Sequence, residues 1–162
     1  MDTVFYNWKK QFKQVPNLNF SSTPAYKTCD GFNIFVENIE QDVILRISVT
    51  PGDLHLSNEW NEFDLDQIDF SSLNIHLDFY FYLPDNYTSI LPYYCNGGLK
   101  NIYQPFVWWG KNGKVKIKII TGNGDDYWLS IIFENIVFYS YGSEVTLNRL
   151  VVPKIELAID NQ

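Results

Sequence analysis

Only two histidines, His55 and His76, and two cysteines, Cys29 and Cys95, stand in this chain. Any Ser-His-Asp relay or histidine-based zinc site would have to pass through one of those two imidazoles. His76 and Asp78 lie two apart in a segment that alternates like a strand, so they share a face, as every such pair does. A solvent-facing or hydrogen-bonded structural His76 is therefore expected, not a catalytic one. Cys95, in Tyr94-Cys95-Asn96-Gly97-Gly98, has no identified histidine partner to activate it as a nucleophile. No glycine-rich loop follows a strand and opens a helix, the arrangement that would cradle a phosphate. The chain reads as non-enzymatic, with no catalytic residue, no cofactor and no metal.

Carboxylates offer a different chemistry. Between Arg46 and Lys100 there is neither lysine nor arginine, while Asp53, Glu59, Glu62, Asp64, Asp66, Asp69, Asp78 and Asp85 all fall there. The formal net charge of the whole chain is −7, so the excess belongs to this interval. A calcium-binding loop needs oxygen ligands at alternate positions with a glycine at the sixth, and EFDLDQIDF places Ile68 where the series should continue. Acids beside aromatics instead suit a protein partner, because charge steers the encounter and aromatic rings supply buried area. Glu59, Trp60, Glu62, Phe63, Asp64, Asp66 and Asp69 are the candidate contacts for a cationic partner.

Two further groupings compete with that reading. Lys114, Lys116 and Lys118 form a short basic row near Trp108 and Trp109, but an acidic chain with pI near 4.7 lacks the attraction to phosphate that nucleic-acid binding requires. These lysines are expected to be the wet face of a strand. Trp108 and Trp109 with Tyr93 and Tyr94 form the alternative, a carbohydrate- or ligand-binding module in which sugar rings stack on aromatic faces. Neighbouring residues on a strand point to opposite sides, so at most one of the two tryptophans belongs to such a platform and the other is core.

The elements that must position these groups are mostly strands. Val115, Ile117 and Ile119 alternate with Lys114, Lys116 and Lys118, and Asn112-Gly113 and Asn123-Gly124 flank them with the dipeptide that favours tight hairpin turns. A three-stranded antiparallel meander from Phe106 to Tyr141 is the expectation. Residues 31–39 and 43–50 alternate likewise around a Glu40-Gln41-Asp42 turn, which makes a second hairpin. Residues 52–72 read as irregular and polar, 73–82 as a strand with Leu73, Ile75, Leu77 and Phe79 on one face, and 84–98 as a long loop. Leu99 to Tyr103 suggests an edge strand, and Val145 to Val152 a last strand stopped by Pro153. Phe5, Trp8 and Phe12 recur at helical spacing over Thr3 to Val15, ahead of Pro16.

The fold class is thus mainly β: an antiparallel β-sandwich or strongly curved sheet with one N-terminal α-helix, in a single domain over residues 1–162. Aromatics make up 17% of the chain, which suits a pleated, half-buried surface. No apolar run approaches the roughly 18 residues of a membrane span, and the opening residues lack the pattern of a signal peptide. A cytoplasmic protein with no membrane and no nucleic-acid partner is expected, and in that reducing compartment Cys29 and Cys95 read as free thiols.

Over Phe32 to Phe81, the stretches FNIFVENIEQDVILRISVTP, Glu59-Trp60 and SLNIHLDFYF resemble the paired-strand pattern of immunity proteins from bacterial polymorphic-toxin and contact-dependent inhibition systems. The resemblance implies a protein that binds a cognate toxin, often a basic nuclease, and neutralises it by covering the active site or a neighbouring surface. Under it, Glu59, Glu62, Asp64, Asp66 and Asp69 meet toxin lysines or arginines, and Trp60 and Phe63 supply the buried contacts.

Overall fold

The computed structural model describes residues 18–29, 33–80, 88–95, 106–121, 127–140 and 142–157. The strands are β1 (Tyr26–Cys29), β2 (Asn33–Asn38), β3 (Val43–Val49), β4 (Asn61–Asp64), β5 (Leu73–Phe79), β6 (Phe106–Thr121), β7 (Tyr127–Ser140) and β8 (Ser143–Leu157). They form one antiparallel sheet in the order β1-β2-β3-β5-β6-β7-β8, with β4 paired to β6 beyond the end of β5. Helical structure among the described residues is limited to single turns, at Ile39–Gln41, Leu91–Tyr93 and α1 (Pro51–Leu54). The helix expected over Thr3 to Val15 and the strand expected over Leu99 to Tyr103 lie outside the described residues.

Alternation explains why the sheet curls. Ile34 and Val36, Val43 to Val49 at every second residue, Leu73 to Phe79 likewise, Trp108, Val115, Ile117 and the apolar set of β7 and β8 all join one buried cluster. A single sheet gathers such a stripe into one core only by wrapping around it, and the wrapping brings β1 to β8. There Thr28 Oγ1 donates to the Glu156 carbonyl at 3.1 Å, and the Glu156 N–H donates to the Tyr26 hydroxyl at 3.3 Å. The architecture is a strongly curved antiparallel sheet, the second of the two expected forms.

Three local expectations change. Asn112-Gly113 is not a turn: β6 runs through it, with register shifts against β7 on both sides of Asn112. Gly113 sits at φ +117°, and a Cβ there would lie 2.5 Å from the Asn135 carbonyl oxygen, so the bulge requires glycine. Asn135 opposite adopts a left-handed φ of 51°. The inward set skips at the same level in all three strands: between Trp108 and Val115, between Phe133 and Ile136, and between Leu147 and Leu150. The bulge wins because β6 is bonded on both flanks, to β4 or β5 and to β7, and a turn would sacrifice those ladders. Pro153 does not stop β8 either, since it falls beside the register shift between Leu129 and Ile131, where no ladder donor is required. Finally, the segment expected to be irregular contains β4. The Glu40-Gln41-Asp42 hairpin is present as expected, as is the meeting of β6 and β7 at Thr121 and Tyr127; residues 122–126 between them lie outside the described residues.

Candidate functional site

The outward face of the sheet divides into a covered half and an open half. Over β2, β3 and β5, residues 88–95 lie as a flap, burying Ile90, Leu91 and Tyr94 against Ile44 and Tyr80. Backbone groups leaving a sheet need partners, and Glu37 provides them. Its Oε2 accepts from Ser89 Oγ at 3.0 Å and from the N–H groups of Ile90 and Leu91 at 2.7 and 3.3 Å. Lys27 Nζ donates to the carbonyls of Pro92 and Tyr94 at 3.5 and 3.3 Å. Cys29 and Cys95 are joined as a disulfide across 66 residues of sequence, which corrects the free-thiol reading. Spacing along the chain gave no hint of the pairing, because only the folding of the flap onto β1 brings the two sulfurs together.

Beneath the flap lies a buried polar chain. Tyr94 donates its hydroxyl proton to Asp78 Oδ2 at 3.0 Å, so Tyr80 donates to the Tyr94 oxygen. Asp78, fully buried, also meets Arg46 Nε at 3.0 Å. Arg46 Nη2 lies 3.0 Å from His76 Nδ1. A guanidinium can only donate, so that nitrogen accepts and the imidazole proton resides on Nε2. Burial pushes the Tyr80 hydroxyl up to about 12, and burial with the Asp78 charge pushes Tyr94 well above its ordinary range. Arg46 Nε and Asp78 Oδ1 meet as an ion pair rather than in hydrogen-bond geometry, and the network runs through Tyr94, Asp78, Arg46 and His76. His76 is therefore a structural link, with Nδ1 already committed.

The open half lies over β4, β6 and β7. Glu62 pairs with Lys114 and, at 3.8 Å, with Lys116; Asp64 meets Lys114 at 3.7 Å; Lys116 meets Glu134 at 3.3 Å. The acidic segment thus spends two of its carboxylates on the chain's own basic row. The Glu62 carboxyl is held below its usual range, first by its hydrogen bond with Lys114. Lys118 stands 4.7 Å above the Trp60 ring, which stays exposed. Phe63 faces inward against the core. Asp69 is occupied in part by its own turn, accepting from Ser71 N–H and Oγ at 2.9 and 2.8 Å, which lowers its pKa. Glu59 and Asp66 are exposed.

At the border of the two halves the register aligns Arg46, His76, Trp109 and Tyr139 in one row across β3, β5, β6 and β7. Trp109 packs on His76 with ring centres 4.3 Å apart, and Phe70 lies 5.7 Å from each of them. Phe70 and Trp109 are 51% and 43% exposed, among the largest apolar exposures described. Leu65, Phe70, Trp109, Gly110 and Lys111 line an open depression of about 450 Å³. Trp108 is wholly buried, as the alternation requires, and Tyr94 is buried in the polar chain, while Tyr93 is exposed on the flap.

Of the candidate contacts, Glu59, Trp60, Glu62, Asp64, Asp66 and Asp69 all stay on the surface, Glu62 and Asp64 paired there with the chain's own lysines, and Phe63 is turned inward. Of the alternative platform only Trp109 and Tyr93 are exposed. Phe70 was missed by the sequence reading, although its position directly after Asp69 at the end of the acidic run was a signal. Among the described residues, no three His, Cys, Asp or Glu side chains gather as a metal site would require, and no helix is long and apolar enough to cross a membrane. Comparison with family models, curated proteins and solved structures gave no match.

Proposed function

We propose that this chain is a binding protein for a cationic protein partner, of the toxin-neutralising kind that the immunity-protein resemblance implies. The observation that carries the reading is the exposed Phe70–Trp109 pair on the acidic segment's own edge: two large rings 5.7 Å apart, with Asp66 and Asp69 in the same stretch of chain. Rings of this size, Trp109 on β6 within the sheet and Phe70 in the turn ahead of β5, are the kind of anchor that dominates protein interfaces. Asp66 and Asp69 form the charged rim beside the rings, and Glu59 is a more distant charge next to Trp60 and Lys118; such carboxylates act mainly on the rate of encounter. Glu62 and Asp64 contribute less than the sequence suggested, because Lys114 and Lys116 cancel their field locally.

The test is binding to the toxin encoded by an adjacent reading frame. Reversing Glu59, Asp66 and Asp69 to lysine together should slow association by about tenfold at low salt and flatten its salt dependence. Trp109→Ala should speed dissociation. Association of the triple variant at the wild-type rate would remove the acidic rim from the interface.

A second reading draws on the same ring. Trp109 presents one face above a shallow depression, the geometry on which a sugar ring stacks. Quenching of tryptophan fluorescence by a panel of oligosaccharides, lost in Trp109→Phe, would favour it.

A further inference from the structure

We infer that the Cys29–Cys95 disulfide is a redox-sensitive clasp, whose state is transmitted through Tyr94, Asp78, Arg46 and His76 to the exposed ring of Trp109. The inference rests on the covered half of the sheet and stands whether or not the partner is a toxin.

Access to the bond is one-sided. Cys29 is buried on β1, whereas Cys95 is exposed at the end of the flap. A thiolate from a dithiol reductant can therefore attack Cys95 Sγ. The S–S bond breaks, Cys29 leaves as thiolate and takes up a proton, and the second thiol of the reductant resolves the mixed disulfide. Two electrons and two protons pass to the protein, which ends with two thiols, and the dithiol ends as a disulfide. Exposed disulfides are the labile and regulatory ones, so the pairing gives the chain two forms that depend on the redox poise of its surroundings.

Cleavage changes what holds the flap. Cys95 is kept at φ +76°, a left-handed conformation that a non-glycine residue leaves readily once released. Tyr94, its immediate neighbour, is the hydroxyl donor to Asp78 Oδ2, and Lys27 reaches the Tyr94 carbonyl from β1. Asp78 is shared between Tyr94 and Arg46, and Arg46 between Asp78 and His76, whose ring packs on Trp109. Withdrawal of Tyr94 leaves Asp78 to draw the guanidinium closer and loosens its hold on His76 Nδ1. The bistable element is the flap, seated or lifted, and both ends of the relay bias it.

The experiment uses the full chain in three states: oxidised, reduced with dithiothreitol, and as the Cys29→Ser/Cys95→Ser variant. Amide hydrogen exchange at Ile90, Leu91 and Tyr94 should rise by roughly 10- to 100-fold on reduction, because the staple no longer limits local opening. Amides of Leu45 and Leu77 in the sheet should keep their protection. The indole N–H resonance of Trp109, assigned with Trp109→Phe, should move on reduction and return on reoxidation. In Tyr94→Phe, reduction should still loosen the flap yet leave the Trp109 resonance in place. Unchanged exchange in the flap, a Trp109 resonance indifferent to reduction, or loss of protection throughout the sheet would each overturn the proposal.

Discussion

The two halves of the outward face are built from similar strands and reach opposite solutions. Over β2, β3 and β5 the Arg46–Asp78 ion pair lies under the flap, with Tyr94 donating to Asp78 and Arg46 donating to His76. Over β4 and β6, Glu62, Asp64, Lys114, Lys116 and Glu134 form four ion pairs, all in reach of water. More pairs do not mean more stability. An exposed pair gains little over its hydrated charges, while removing one partner from a buried pair strands the other in a poor solvent. The covered half is therefore where the fold is secured, and the open half is where side chains can be exchanged for function.

That contrast breaks most sharply at Asp78. Asp78→Ala should cost roughly 3 kcal/mol in urea unfolding, the low end for a broken buried pair because Arg46 is partly exposed. A value near zero would mean that the covered network holds nothing together.

Alkaline pH probes the same network from its phenols. In the unfolded chain Tyr80 and Tyr94 ionise near 10; folded, Tyr80 holds its proton to about 12 and Tyr94 beyond. The folded state binds more protons above pH 10, so stability should fall as pH rises from there, and Tyr80→Phe should flatten the decline. Thermal melts at successive pH values measure it.

Next in size is the bulge. Gly113→Ala places a Cβ against the Asn135 carbonyl and Ile136 at a positive φ, and should destabilise by about 1–3 kcal/mol. The smallest effect is expected in the open half, where Glu62→Gln should leave the urea midpoint unchanged while raising the exposure of Lys114 to chemical acetylation. A clear loss of stability there would erase the distinction between the halves.

Much of the sheet was legible because period-two alternation is a local property: Val43 to Val49 and Leu73 to Phe79 face inward as read. The separation of Trp108 from Trp109 followed from the same rule. What misled was also local. Asn112-Gly113 is a turn dipeptide in isolation, and only the strands on both flanks of β6 convert it to a bulge. Pro153 breaks a ladder in general, yet it costs nothing beside a register shift. The site was less legible because its pairings are distant in sequence. Glu62 lies 52 residues from Lys114, and Glu37 lies 53 from Ile90, so neither composition nor spacing announces them. The excess of acids between Arg46 and Lys100 is real, but its field is smaller than its count.

Where β1 meets β8, among the described residues, two side-chain hydrogen bonds stand in place of a backbone ladder. In a closed barrel, whole-number strand count and stagger dictate the radius. A split ring is free of that arithmetic: its girth can follow whatever volume the enclosed side chains require. Enlarging an inward residue near the join should therefore be absorbed by a wider gap, whereas the same enlargement midway round, at Ile75 or Ile117, has no slack to draw on.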